Sequence, residues 1–178
     1  MICEHIMTML KILTYPDPFL TKTVQPVTVF DDALQAVIEN MVETMYDAPG
    51  VGLAAIQAGI DKRLIVFDPN SDVEKKEYSV LINPEIISVK GQIVSENEGC
   101  LSVPDYRADV KRHEFVVAKG LDRFGNPMAI EADGLLSIIL QHEIDHLNGI
   151  LFIDHISALK RQLYKNRRKK ALRNEETA

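Results

Sequence analysis

Residues 133–149 read DGLLSIILQHEIDHLNG, and the architecture of the chain is organised around them. Leu135, Leu136, Ile138, Ile139, Leu140, Ile144 and Leu147 put apolar side chains on nearly every side of a helix, which predicts a central, buried one. Asp133 stands where it can cap the N-terminus, and Gly149 is the natural stop. Inside this apolar helix lies Gln141-His142-Glu143-Ile144-Asp145-His146. Histidines four residues apart leave the same helical face, so their imidazoles can hold one divalent cation at about 2.0–2.1 Å each. Glu143 lies about 100° further round, which suits a base beside a water on that cation and not a third ligand. Chance alone would produce His-Glu-x-x-His in about one such sequence in a hundred. A buried carboxylate and two buried imidazoles are also costly unless paired or metal-bound.

A catalytic metal site needs a third ligand and an open position for water. The residues after His146 are Leu147, Asn148 and Gly149, and His155 is the next histidine, so neither the downstream Glu of gluzincins nor the His-x-x-Gly-x-x-His continuation of metzincins is present. Cys100 is the better candidate, in Glu98-Gly99-Cys100-Leu101-Ser102, where Gly99 allows close backbone approach. As a lone cysteine it is equally readable as a small buried hydrophobe.

Outward from this core, Asp31 and Asp32 are N-cap candidates for an earlier helix carrying Leu34, Val37, Ile38, Met41, Val42 and Met45 at steps of three and four. Asp47-Ala48-Pro49-Gly50 ends it. Residues 62–67, 79–82, 85–94 and 114–119 are short, rich in Val and Ile, and bounded by turn formers, which predicts strands. Gly125-Asn126-Pro127 marks a turn after which 128–131 can return as a hairpin partner. Residues 11–26, with three prolines, predict an irregular arm, and residues 1–9 a loose extension. Ser157 is placed to cap a last helix over residues 157–174 holding Leu159, Leu163 and Leu172. The whole is a single α+β domain, its antiparallel or mixed strands wrapped around the buried helix.

At 178 residues, 46% hydrophobic and 26% charged, the chain has the makeup of an ordinary globular domain. Two cysteines cannot make a disulfide framework, and the longest apolar run, Leu135 to Leu140, is interrupted by Ser137 and too short to cross a bilayer. The N-terminus lacks the pattern of a signal or transit peptide, so a cytoplasmic chain is expected, with no membrane partner. The net charge of −6 hides an asymmetry: residues 160–178 hold eight Lys and Arg against two Glu, net +6, while the remaining 159 residues hold 12 basic and 24 acidic side chains, net −12. An acidic body does not fit a DNA-binding module, so any polyanionic partner meets the tail, which otherwise reads as a solvated helix face. No feature signals an oligomer, and a monomer is expected.

The sequence resembles the peptide deformylases, whose three hallmark motifs appear in order as Gly50-Val51-Gly52-Leu53-Ala54-Ala55-Ile56-Gln57, Glu98-Gly99-Cys100-Leu101-Ser102 and Gln141-His142-Glu143-Ile144-Asp145-His146. The resemblance covers nearly the whole chain after the first nine residues. It implies that Cys100, His142 and His146 bind one divalent ion, often Fe(II), with Zn(II) or Ni(II) as alternatives that thiolate and imidazole ligands equally allow. It implies removal of the formyl group from the N-formylmethionine of newly made polypeptides, with Glu143 as general base and acid. Gln57, through its side-chain amide, and Leu101, through its backbone N–H, are implied to meet the oxyanion. The peptide is implied to pair like an added strand near Val51 and Gly99, close to the small residue Gly52, with Arg107 at the pocket mouth. Leu135, Ile138 and Ile139, on or beside the face of the two histidines, would line an apolar pocket for the methionine side chain. The resemblance further implies that the basic C-terminal helix docks on the ribosome. Two rival readings are a metallopeptidase acting on internal amide bonds, disfavoured by the missing Glu ligand, and a silent metal-binding member, disfavoured by intact Gln57 and Glu143.

Overall fold

The computed structural model describes residues 8–70 and 74–176 of the chain. Helix α1 (Asp32–Asp47) opens where expected, with the Asp31 side chain accepting a bond from the Leu34 N–H at 2.9 Å. Its apolar stripe, Leu34, Ile38, Met41, Val42 and Met45, is buried against β1 (Gly52–Ala54) and β2 (Leu64–Phe67). Strand β3 (Ser79–Lys90) continues the sheet, followed by β4 (Ile93–Cys100) and β5 (Val103–Arg112). After β6 (Phe115–Leu121) and β7 (Pro127–Asp133) come α2 (Gly134–Leu147) and α3 (Ala158–Glu176). Five strands form one antiparallel sheet in the order β1-β2-β3-β6-β7, and β4 and β5 form a separate two-stranded ribbon. Helix α2 packs across β1, β2, β6 and β7, so the strands do wrap around a central buried helix, and every pairing is antiparallel.

Four local expectations are corrected. The strand expected over 85–94 is interrupted: Gly91, at a φ of 66°, turns the chain between β3 and β4. Pro84 does not end β3, because Asn83 adopts a φ of 52° and the register shifts there, leaving residues 79–90 one bulged strand. The ribbon β4–β5 was not expected beyond residue 94, since its polar alternation hides a strand that buries only one side. Asp133 directly precedes α2 but its side chain makes no capping bond. At the other end Gly149 does stop α2, at a φ of 74°, where a Cβ would collide with the Thr21 carbonyl.

The arm preceding α1 is irregular apart from a short turn at Pro18–Thr21, and it is bonded throughout: Leu13 N–H to the Gln57 carbonyl at 2.7 Å, Tyr15 N–H to the Ser102 carbonyl at 2.8 Å. Of the expected N-terminal extension, residues 1–7 lie outside the described residues, while Thr8 donates its N–H to Asn40 Oδ1 at 2.9 Å. Of the three leucines expected in helix α3, Leu159 and Leu163 are exposed and Leu172 is half-buried. Tyr164 is the buried anchor, packed on Tyr15 and Tyr106, while Arg168 donates to the Tyr15 carbonyl at 3.1 Å. Among the described residues no helix is long and apolar enough to cross a membrane.

Candidate active site

The ribbon and the buried helix meet at their functional ends. Cys100 closes β4 and pairs with Val103 across the two-residue turn Leu101-Ser102, which fixes its thiol against α2. Its Sγ lies 3.2 Å from His146 Nε2, which is itself 3.2 Å from His142 Nε2. The ligand atoms of all three residues lie within 4.8 Å of one another. Two nitrogens held about 2.0–2.1 Å from one tetrahedral centre would be about 3.3–3.4 Å apart, so these donors fit a single small cation.

The imidazoles are supported unequally. His142 Nδ1 is 2.8 Å from Glu98 Oε1, and the carboxylate takes a fork from Arg112, at 2.6 Å to Oε1 and 3.2 Å to Oε2. Burial works against the Glu98 charge, but the bonds from His142 and Arg112 outweigh it and hold its pKa at about 2. Burial works against a charged His142, but its bonds to Cys100 and Glu98 raise its pKa well above the ordinary histidine range. Nδ1 keeps its proton toward Glu98, and Nε2, facing His146, is the nitrogen a metal ion would take in place of a proton. Burial and then the neighbouring His142 push His146 well below the ordinary histidine range, which favours the neutral form that a metal ion could bind, and its Nδ1 has no hydrogen-bond partner among the described residues.

Glu143 is buried, and its Oε2 has no partner either. Burial pushes its pKa up to about 7, opposed by His142 and reinforced by the Glu98 charge. The backbone of β1 passes directly over it: a Cβ on Gly52 would sit 2.6 Å from Glu143 Oε1. Gln57 stands in a one-turn helix, Ala55–Ala58, just after β1. It is buried and is not the surface loop residue that a glutamine there could have been. Its Oε1 accepts from the Ala54 N–H at 2.8 Å, which orients Nε2 toward Ser102 Oγ at 3.2 Å and Cys100 Sγ at 3.6 Å.

These groups border one cleft of about 860 Å³. Gln57, Cys100, Leu101, His142 and Glu143 line it, and so do Val51, Gly52, Gly99, Leu135, Ile138, Ile139 and Arg107; His146 stands behind His142. Arg107 lies across Gly99, where a Cβ would be 3.2 Å from its Nη1, and donates to the Asn97 carbonyl at 3.2 Å.

The spacing arguments missed the polar groups behind the ligands. Glu98 and Asp145 stood inside the quoted motifs without a role, and Arg112 was not singled out. Arg112 occupies an inward position of β5, its side chain 3% exposed, and its Nη1 reaches Asp145 Oδ2 at 2.6 Å. Asp145 Oδ2 also meets His155 Nε2 at 2.7 Å. The burial pattern along β5 could have found Arg112, since Ala108, Val110 and Arg112 alternate inward, but only once β5 is known to be a strand. Gln141 locks α2 to the β5–β6 turn, accepting from the His113 N–H at 2.9 Å and donating to its carbonyl at 2.9 Å.

A family model described as polypeptide deformylase matches residues 9–162. The chain is 50% identical over 167 residues to the peptide deformylase of Desulfosudis oleivorans, covering 94% of this chain and 96% of that protein. It is 52% identical over 161 residues to that of Thermodesulfovibrio yellowstonii, covering 90% and 97%. The crystal structure of a peptide deformylase from Legionella pneumophila superposes with a TM-score of 0.88 at 49% identity, over 96% of this chain and 99% of that one. The Synechococcus elongatus peptide deformylase, solved in complex with actinonin, superposes with a TM-score of 0.83 at 40% identity, over 90% and 88%.

Proposed function

The chain belongs to the polypeptide deformylase family, metalloenzymes that remove the N-formyl group from nascent peptides, and on that premise we propose the following division of labour among its residues. Cys100, His142 and His146 hold one divalent ion. The observation that carries this reading is the convergence of thiol and imidazole donors beside a buried carboxylate at the floor of a cleft. The ion supplies Lewis acidity and a water acidic enough to ionise near neutral pH. Fe(II) is the proposed native ion; the soft thiolate and two imidazoles suit it, and Zn(II) or Ni(II) can take its place.

The remaining steps fall to the chain itself. Leu135, Ile138 and Ile139 give the methionine side chain an apolar wall, and the backbone near Val51 and Gly99 pairs with the peptide as an added strand. The small Gly52 lets that backbone lie close to Glu143, and Arg107 marks the mouth of the cleft. Glu143 takes a proton from the attacking water, whose oxygen bonds to the formyl carbon. Gln57 Nε2 and the Leu101 N–H donate to the formyl oxygen as it gains negative charge. The carbon–nitrogen bond then breaks, Glu143 returns the proton to the departing amine, and formate leaves with the free N-terminus of the peptide.

The test is formate release from a formyl-Met-Ala-Ser peptide by protein purified without oxygen, with metal content measured alongside. Rapid release at about one metal ion per chain supports the reading, and iron as the bound ion supports Fe(II). No release by folded, metallated protein overturns it. Actinonin is expected to compete with the peptide, as its presence in the Synechococcus elongatus complex suggests.

The chain works as a cytoplasmic monomer in this proposal, and its basic α3 docks on the ribosome, where nascent chains emerge. Exposed Lys160, Arg167, Lys169 and Lys170 favour ribosomal RNA, so binding should weaken steeply with salt. Ribosome pelleting of the full chain and of a chain lacking residues 160–178, over a salt series, decides this; equal pelleting rejects it.

A further inference from the structure

Behind the ligands, a line of hydrogen bonds runs from the surface to His142. His155 Nε2 meets Asp145 Oδ2 at 2.7 Å, Arg112 Nη1 meets the same oxygen at 2.6 Å, Arg112 forks onto Glu98, and Glu98 Oε1 meets His142 Nδ1 at 2.8 Å. Side-chain exposure falls along it, from 36% at His155 to 20% at Asp145 and 3% at Arg112. We propose that His155 is a positioning residue for the metal centre, holding His142 in place through Asp145, Arg112 and Glu98. This rests on the reading of Cys100, His142 and His146 as the ligands.

The argument starts at Arg112. A guanidinium presents its donors in a rigid planar fork, so a partner on any one nitrogen bears on the direction of the others. Glu98 takes Nε and Nη2, and Asp145 takes Nη1. Asp145 borders a second cleft, of about 390 Å³, lined also by Lys111, His113 and His155. Solvent in that cleft competes for its carboxylate. His155, on the lining of that cleft, donates to Oδ2 from the solvent side and keeps it aimed at Arg112.

The segment that carries His155 is itself firmly placed. Its backbone N–H bonds the Phe152 carbonyl at 3.1 Å, closing the one-turn helix Phe152–Asp154, in which Phe152 and Ile153 are buried. The Phe152 ring stacks on the His142 imidazole at a centroid distance of 6.3 Å and 24° between planes. One short turn thus restrains His142 twice, by ring packing from Phe152 and by the hydrogen-bonded line from His155. His146, in contrast, has no partner on Nδ1, so the orientation of the donor pair depends on His142.

Partners of a ligating histidine are typically worth 10- to 100-fold in metal affinity. His155 acts three links further out, and a three- to tenfold effect is expected. The full-length protein, stripped of metal, is titrated with Co²⁺ at a fixed pH of 7.5 against a chromophoric chelator, and its visible absorption is recorded. His155→Ala should raise the Co²⁺ dissociation constant three- to tenfold and shift the ligand-field bands. His155→Gln, whose amide can still donate to Asp145, should stay near the parent in both. The proposal is overturned if His155→Ala matches the parent in affinity and spectrum, or if His155→Gln is as weak as His155→Ala. Failure of the parent to bind one Co²⁺ with a thiolate charge-transfer band would instead bring down the ligand assignment, and the relay with it.

Discussion

Glu143 has opposite effects on folding and on function. Its carboxyl sits in a buried position with Oε2 unpartnered, and burial raises its pKa from 4.5 to about 7. A base that titrates near the working pH takes and returns a proton with little driving force lost, which is the property a deformylation step needs. For stability the sign is unfavourable. A carboxyl whose folded pKa lies above its unfolded value costs nothing below about pH 4.5, and the cost grows as pH rises to 7, reaching on the order of 3 kcal/mol. Glu143→Gln removes both effects. Formate release should fall by about 10²- to 10⁴-fold with metal still bound. In the metal-stripped protein, the urea midpoint of the variant should exceed the parent's at pH 8 and match it at pH 4. Near-normal turnover in a metallated variant would reject the acid–base role.

At the scale of elements, β1 and α2 are arranged so that a strand backbone lies against a helical carboxylate. That approach requires glycine at position 52, since a Cβ there falls 2.6 Å from Glu143 Oε1. Gly52→Ala must push the carboxylate aside, so kcat should drop at least tenfold while metal content stays at the parental level; a crystal structure of the variant should show Glu143 in a different rotamer. An unchanged kcat would mean the position of Glu143 tolerates displacement. The helices were legible from residue spacing, because Asp31 caps and the three-and-four steps of Leu34, Ile38 and Met41 depend only on local geometry. The ribbon β4–β5 was not, because β5 alternates Ala108, Val110 and Arg112 inward, and an inward arginine breaks the apolar alternation by which strands are recognised. Its charge is tolerated there because it pairs with the buried Glu98 and the half-buried Asp145. For α3, sequence spacing picked out Leu159, Leu163 and Leu172, of which only Leu172 is even half-buried, whereas packing chose Tyr164, whose ring can reach both the arm and β5.

Across the whole molecule, the buried ion pairs set how the fold responds to acid. Glu98 is held at about 2 against an ordinary 4.5, so the stability it contributes is present above about pH 4.5 and is lost as pH falls through 2. Asp145 moves in the same direction: burial alone would raise its pKa, but the bonds from His155 and Arg112 lower it. The metal-stripped protein should therefore lose on the order of 3 kcal/mol or more of unfolding free energy between pH 5 and pH 2. Urea denaturation at several pH values measures this. A flat profile over that interval would show that Glu98 is not ionised in the native fold.

Local spacing was enough for the central helix, the histidine pair on one of its faces, the carboxylate beside them and, through three spaced motifs, the family. All of these follow from helical periodicity and from residue types whose chemistry is local. Packing was needed to bring Cys100 to the histidines, to bury Gln57 with its amide aimed at Cys100 and Ser102, and to set Arg112, Asp145 and His155 behind His142. These contacts join residues up to 46 positions apart, and such distances are fixed by strand register and helix packing, which no spacing rule records.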